Sequence, residues 1–168
     1  ADYDTCMRCA EAVHAHPDAS PILDPGPLAD LAWPEVTLYG ADEDTGALMR
    51  GRADTITREN VLVDLKTTAT PPDDWQATSW RRGYHVQAGH YTRIARQAGI
   101  LPHGSTAAHI IVTTAPPHTV TIAWMTPELL DWGIADSMHA CAIWHHCQTT
   151  GDWPGPDATT IGIPRWAR

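Results

Sequence analysis

The stretch Val61-Leu62-Val63-Asp64-Leu65-Lys66-Thr67-Thr68 decides the fold. Its first three residues are apolar without alternation, the pattern of a strand covered on both faces and therefore central in a sheet. Side chains alternate along a strand, so Asp64 and Lys66 share one face and Leu65 is expected to point to the other, into the core. A carboxylate and an ammonium at the end of an apolar strand require pairing or a metal ion. Asp54 lies ten residues earlier, on the preceding strand, and a hairpin of that length brings it beside Asp64. Two converging carboxylates repel unless a hard cation lies between them, and Mg²⁺ or Mn²⁺ is held in this way. Glu35, at the start of the strand before, is a third candidate oxygen ligand. The alternative reading of these residues is a surface hairpin carrying an Asp64–Lys66 salt bridge.

Reading outward from this strand, Asp2 to His16 is predicted helical and Pro17 to Pro34 a loop. Glu35–Tyr39 and Leu48–Thr57 are predicted strands, joined by a turn over Ala41–Gly46 in which Gly46 suits positive φ. After Pro71-Pro72, a helical stretch runs through Trp75 and Trp80, bends near Gly83 and continues to Gln97, with Gly99 as its stop. His109–Thr114 and Thr119–Met125 are two further strands around a Pro116-Pro117 turn. Thr126-Pro127-Glu128 combines an N-cap, a proline at the first helical position and an acid, and starts a helix predicted to reach about His146. The tail from Trp153 to Trp166 is predicted irregular. The order αβββαββα indicates an α/β domain with a central mixed sheet flanked by helices.

With 168 residues, 43% hydrophobic and 18% charged, the chain is long enough for one domain with its own core and is not of disordered composition. No apolar run reaches the length of a membrane span, so no membrane partner is expected, and the cysteines are read as those of a cytoplasmic protein. The sequence does not begin with Met, and a processed or truncated piece of a longer protein is expected. The net charge of −9 argues against a nucleic-acid partner as an average, but its distribution does not. Residues 50–96 hold eight basic and five acidic residues, a net +3, between segments of −9 and −3. Lys66 is the only lysine among eleven basic residues, against a composition that otherwise uses arginine.

A second cluster follows on the next helix. Tyr84, Gln87 and Tyr91 fall at i, i+3 and i+7 and share a face. Gln can hydrogen-bond a phosphate or hold a metal-bound water, and Tyr can do the same or stack on a base; the alternative is an ordinary amphipathic helix with Tyr in the core. Arg81-Arg82 precede this helix and are candidates for backbone phosphates. Trp75 or Trp80 either packs in the core or acts as a wedge at a DNA end.

Taken together, these residues resemble the RecB-like branch of the PD-(D/E)XK nucleases, within it the exonuclease VIII (RecE) type of phages and prophages. The resemblance rests on Pro34-Glu35-Val36, Thr45-Gly46, Arg52-Ala53-Asp54, Val63 to Thr68 and Gly83-Tyr84-His85-Val86-Gln87-Ala88, with Asp152-Trp153-Pro154 and Ile163-Pro164-Arg165-Trp166-Ala167 at the far end. It spans about residue 10 to the C-terminus and implies a single PD-(D/E)XK nuclease domain. By this resemblance Glu35, Asp54 and Asp64 are metal ligands, with the Leu65 carbonyl a further one. Lys66 is the catalytic lysine, Gln87 and Tyr91 are the auxiliary motif, and Arg52, Arg81, Arg82 and Tyr84 are candidate DNA contacts. The implied activity is Mg²⁺- or Mn²⁺-dependent degradation of linear duplex DNA from its ends, mainly 5′ to 3′. The product is single-stranded tails for a strand-annealing partner, and the enzyme is implied to be a ring-shaped oligomer. The alternatives are an endonuclease, a Cas4-like nuclease with an iron–sulfur cluster, or a DNA-binding module without turnover. The family's upstream G-x-x-x-H element is missing here, and His14 and His16 do not occupy its position, so an N-terminal element of the full protein is expected to be lacking. Cys6, Cys9, Cys141 and Cys147 are read as reduced core residues in preference to ligands of a cluster or Zn²⁺.

Overall fold

A computed structural model describes residues 3–23, 33–69 and 73–155. Strands β1 (Trp33–Ala41) and β2 (Leu48–Ile56) form an antiparallel hairpin. Its turn is built as the sequence predicts. The Asp42 carboxylate accepts hydrogen bonds from the Thr45 amide (2.9 Å) and hydroxyl (2.6 Å), and Gly46 takes φ +69°. Strand β3 (Val61–Thr68) turns back antiparallel to β2 and then runs parallel to β4 (Thr106–Thr113), which pairs antiparallel with β5 (Val120–Trp124). The order β1-β2-β3-β4-β5 makes a mixed sheet. Its one parallel pair needs a long crossover, here supplied by helices α3 (Trp75–Arg81) and α4 (Tyr84–Gln97). The two helices part at Gly83, whose φ of +66° only glycine adopts freely.

Alternation along the central strands sorts the core into two layers. Leu62 and Ala107 face α4 and α5 (Pro127–Thr150), in a cluster with Ile94, Leu130 and Cys141. Val61, Val63, Ala108, Ile110 and Val112 face the other way, towards Cys9 and Val13 of α1 (Tyr3–Ala15) and Ala19 beside the short α2 (Ser20–Leu23). Both faces are therefore covered where β3 begins, as its apolar start predicts. Helices α4 and α5 cross in backbone contact. A Cβ on Gly133 would lie 1.9 Å from the His85 carbonyl oxygen, and one on Gly89 2.2 Å from the Gly133 carbonyl carbon. Among the described residues no helix is long and apolar enough to cross a membrane.

Several boundaries differ from the sequence reading. The predicted loop after Pro17 contains the turn of helix α2, which His16 caps by accepting from the Asp18 and Ala19 amides at 3.3 Å. Strand β4 starts at Thr106, not His109. Helix α5 has the predicted start, with the Thr126 hydroxyl accepting from the Leu129 amide at 3.2 Å, but runs a turn past His146. Gly151, at φ +75°, ends it. The predicted tail lies outside the described residues beyond Gly155. The sharper correction concerns Leu65, which points away from α4 as expected but is 40% exposed and outside both core clusters. The layer formed by α1 covers β3 at Val61 and Val63 and does not extend over Leu65.

Candidate active site

The site begins where β3 loses a neighbour. The β2–β3 register runs Ile56↔Leu62 and Thr55↔Val63 and stops before Asp54 would meet Asp64. On the other side, the β1–β2 register passes from Pro34↔Thr55 to Val36↔Ala53 and skips Glu35↔Asp54. Glu35 there has φ +52°, a region that residues other than glycine seldom occupy. Asp54 thus lies at a break in both ladders, and its side chain replaces the missing strand: Oδ2 accepts the Leu65 amide at 2.7 Å. Burial raises the Asp54 pKa above the ordinary carboxylate value, and the charges of Asp64 and Glu35 raise it further, against the Leu65 hydrogen bond and the Lys66 ammonium.

From the next residues of β3, Asp64 and Lys66 turn toward α4 and form an ion pair with only 15% and 14% of their side chains exposed. Gln87 of α4 bridges the two. Its amide nitrogen donates to Asp64 Oδ1 and its carbonyl oxygen accepts from Lys66 Nζ, each at 2.8 Å. The ring of Tyr84, one turn earlier, lies under the Lys66 ammonium with its centroid 4.1 Å away. Asp64 Oδ2 is buried and meets Lys66, but no hydrogen-bond donor in regular geometry. Two carboxylates and a cation are therefore held at one strand end, with one carboxylate oxygen incompletely satisfied.

Other predicted residues lie apart from this centre. The Glu35 carboxylate is turned to Arg52 at 2.5 Å, and both side chains are mostly exposed. Among the described residues no three His, Cys, Asp or Glu side chains are gathered into a ready metal-binding group. Tyr91 shares the helix face of Tyr84 and Gln87, but its ring fills the space above Gly51, where an added Cβ would come within 2.5 Å, and it packs with the core. Arg81 and Arg82 are exposed, Arg81 within 3.8 Å of Asp74. Cys9 and Cys141 belong to core layers on opposite faces of the sheet and Cys147 is buried, but Cys6, expected in the core, is exposed on α1.

Sequence reasoning missed one neighbour, His109, and left another, Trp75, open between core and DNA-end wedge. His109 of β4 is the register partner of Asp64 and is buried. Its pKa falls to about 4 through burial and the Lys66 charge, so it is neutral near pH 7. Trp75 of α3 donates its indole N–H to His109 Nδ1 at 3.3 Å and lies 5.8 Å from the Tyr84 ring. The one signal was a histidine within the apolar run Ala107–Val112; its partner across the crossover could not be read from spacing.

Residues 1–159 match the family described as a PDDEXK-like domain of unknown function (DUF3799). The chain belongs to this family. The PDDEXK-like fold recurs in the crystal structure of a Eubacterium rectale protein provisionally named an exonuclease, at 15% identity and a TM-score of 0.65. The match covers 93% of this chain but 63% of that one, so this PDDEXK-like chain spans less than two thirds of its neighbour's length. A second solved structure, of the protein SSO0001, is 15% identical over 65% of this chain and 50% of its own, with a TM-score of 0.40, too distant in shape to argue from. No curated protein matches the sequence.

Proposed function

We propose that this PDDEXK-like domain is a metal-dependent deoxyribonuclease that degrades linear duplex DNA from its ends, 5′ to 3′, as RecE-type exonucleases do. The observation that carries this reading is the bridging of Asp64 and Lys66 by Gln87 beside Asp54, at a strand end whose ladder is broken. The name of the Eubacterium rectale neighbour, whose fold this chain shares, favours an exonuclease over other nucleases.

The donor set fits a hard divalent cation. Burial and neighbouring negative charge disfavour the Asp54 anion, which a cation would relieve, and Asp64 Oδ2, met only by the Lys66 ammonium, has room for a second partner. Asp54, Asp64 and the Leu65 carbonyl would hold Mg²⁺ or Mn²⁺, joined by Glu35 once it leaves Arg52. Held there, such an ion would supply Lewis-acid polarisation of a scissile phosphate and a more acidic water. Lys66 orients the attacking water and offsets charge on the pentavalent phosphorane. Gln87 fixes the direction of Lys66, and Tyr84 supports it from below. Neutral His109 and Trp75 keep the floor of the site free of competing charge. Arg52, Arg81 and Arg82 are the proposed phosphate contacts, and Tyr91 holds α4 against β2. A strand-annealing protein is the proposed recipient of the single-stranded product, and a ring of copies around duplex the proposed assembly.

The test is incubation with Mg²⁺ and linear, closed circular or end-blocked duplex. Loss of linear DNA alone, abolished by EDTA, Lys66→Ala and Asp64→Ala, is the expected result. Nicking of closed circles would make the enzyme an endonuclease, and binding without hydrolysis in Mg²⁺ and Mn²⁺ would reject the nuclease reading.

A further inference from the structure

Beside the proposed catalytic centre lies an open groove of about 780 Å³, between α3, the end of β5 and the start of α5. Its volume is within the roughly 300–1,000 Å³ of small-molecule sites. Trp75, Trp80 and Trp132, of the eight tryptophans, line it from the helices, and Trp124 stands at its β5 edge, shared with a hollow beside Ile22 and Ile122 on the other face. Trp80, Trp124 and Trp132 are 53%, 57% and 55% exposed. Trp80 and Trp132 meet edge to face at 6.4 Å, and Trp80 is backed by the stacked His85 ring at 4.4 Å. Leaving so much aromatic surface in water is unfavourable unless a ligand covers it.

The groove is continuous with the site. Trp75 lines it and also touches Tyr84 and His109, and Tyr84 lies directly beneath Lys66. One aromatic layer therefore runs from the Lys66 ammonium into the groove. Its charge selects among the parts of a nucleic acid. Asp74 partly offsets Arg81 at the rim, and Glu128 adds a negative charge, so the floor of the groove carries little positive charge and Arg81 is left to meet a phosphate at its edge. The floor offers flat, weakly charged surface, which suits base faces with the phosphates turned outward.

We propose that this tryptophan-lined groove holds unpaired bases of a DNA strand that has left the duplex at the Asp64–Lys66 centre, by stacking. The assignment rests on the nuclease reading, which supplies the strand.

The test compares binding of a labelled single-stranded oligo(dT) 12-mer with that of an abasic 12-mer of the same backbone, by fluorescence anisotropy in EDTA. Base–aromatic stacking is worth ~1–3 kcal/mol per base, roughly 5- to 150-fold in affinity. The full chain is expected to prefer oligo(dT) by at least about tenfold on that scale. Trp124→Ala and Trp132→Ala, both surface changes, are each expected to lower oligo(dT) affinity about fivefold or more and leave abasic binding unchanged. Equal affinity for the two oligomers, or wild-type affinity in both variants, overturns the proposal. So does sedimentation showing that wild-type chains self-associate through the groove and that Trp132→Ala dissociates them, which would give the groove to a second copy. The two readings fail separately. Base-dependent binding without hydrolysis of any DNA leaves the groove and removes the nuclease. Hydrolysis without base-dependent binding does the reverse.

Discussion

Helix α4 meets an ion pair at each of two places on the sheet, and the two are built differently. Asp42 and Arg93 are closed on every side. The carboxylate accepts from the Thr45 amide and hydroxyl as well as the guanidinium, and Arg93 also donates to Ser137 Oγ at 2.9 Å and to Cys141 Sγ at 3.8 Å. Asp64 and Lys66 share a single bridging side chain, Gln87, and stand beside a second carboxylate. The first pair joins the hairpin turn to α4 and α5 through bonds on both partners. The second retains unused bonding capacity at an open strand end. Similar charges thus serve cohesion in one place and leave room for a ligand in the other.

The largest expected effect tests the closed pair. Arg93→Ala leaves the buried Asp42 charge without its cation, and breaking such a pair costs about 3–5 kcal/mol. Calorimetry should show Tm falling by roughly 10 °C for a domain of this size, while DNA hydrolysis at low temperature persists. At the open pair, Asp64→Asn removes a charge that Asp54 opposes. Hydrolysis should drop about 10²–10³-fold, while urea unfolding should show a smaller loss of stability than Arg93→Ala, because the Gln87 oxygen and the Asp54 charge remain to meet the Lys66 ammonium. A large loss of stability in that variant would show the two pairs to be of one kind. Gln87→Leu keeps the volume and removes the bridge. Steady-state kinetics should show kcat falling about tenfold or more with KM little changed, the size of effect seen when a supporting hydrogen bond is removed.

The smallest effect is acidic. Burial alone would raise the Asp42 pKa, but hydrogen bonds from Thr45 and Arg93, with the Arg93 charge, outweigh it and hold the pKa below its ordinary value of 3.8. A carboxyl lowered on folding stabilises the native state above its unfolded pKa, and that contribution is lost as pH falls through the folded value. Urea midpoints measured from pH 6 down to pH 2.5 should fall in the wild type at the acid end. Asp42→Asn, less stable at neutral pH, should show a shallower fall there.

Much of this was legible in the chain. The unbroken Val61-Leu62-Val63 announced a doubly covered strand, the two-residue step put Asp64 and Lys66 on one face, and helical spacing put Tyr84, Gln87 and Tyr91 on another. What those faces meet was not legible. Periodicity gives Tyr84 and Tyr91 equal standing, yet one lies under Lys66 and the other fills the notch at Gly51. Leu65 was assigned to the core because alternation says nothing about where a covering helix ends. His109 was overlooked because the register of a parallel pair is set by packing across the whole α3–α4 crossover, and no local spacing encodes it. The interruption at Glu35 and Asp54 left no mark in composition, although it separates an ordinary hairpin from a candidate centre.

The contact between Gly89 and Gly133 gives α5 a hold over a candidate centre that it does not touch. Gln87 lies two residues from Gly89, on a helix pressed backbone to backbone against α5. No side chain stands between the two axes to absorb a misfit. One methyl group at Gly133 must therefore be taken up by a shift of one main chain against the other, and any share of it borne by α4 moves Gln87 relative to Asp64 and Lys66. The helix pair works as a gauge block: the spacing of two main chains sets the reach of one amide, and the tolerance of the centre is machined at a point remote from it.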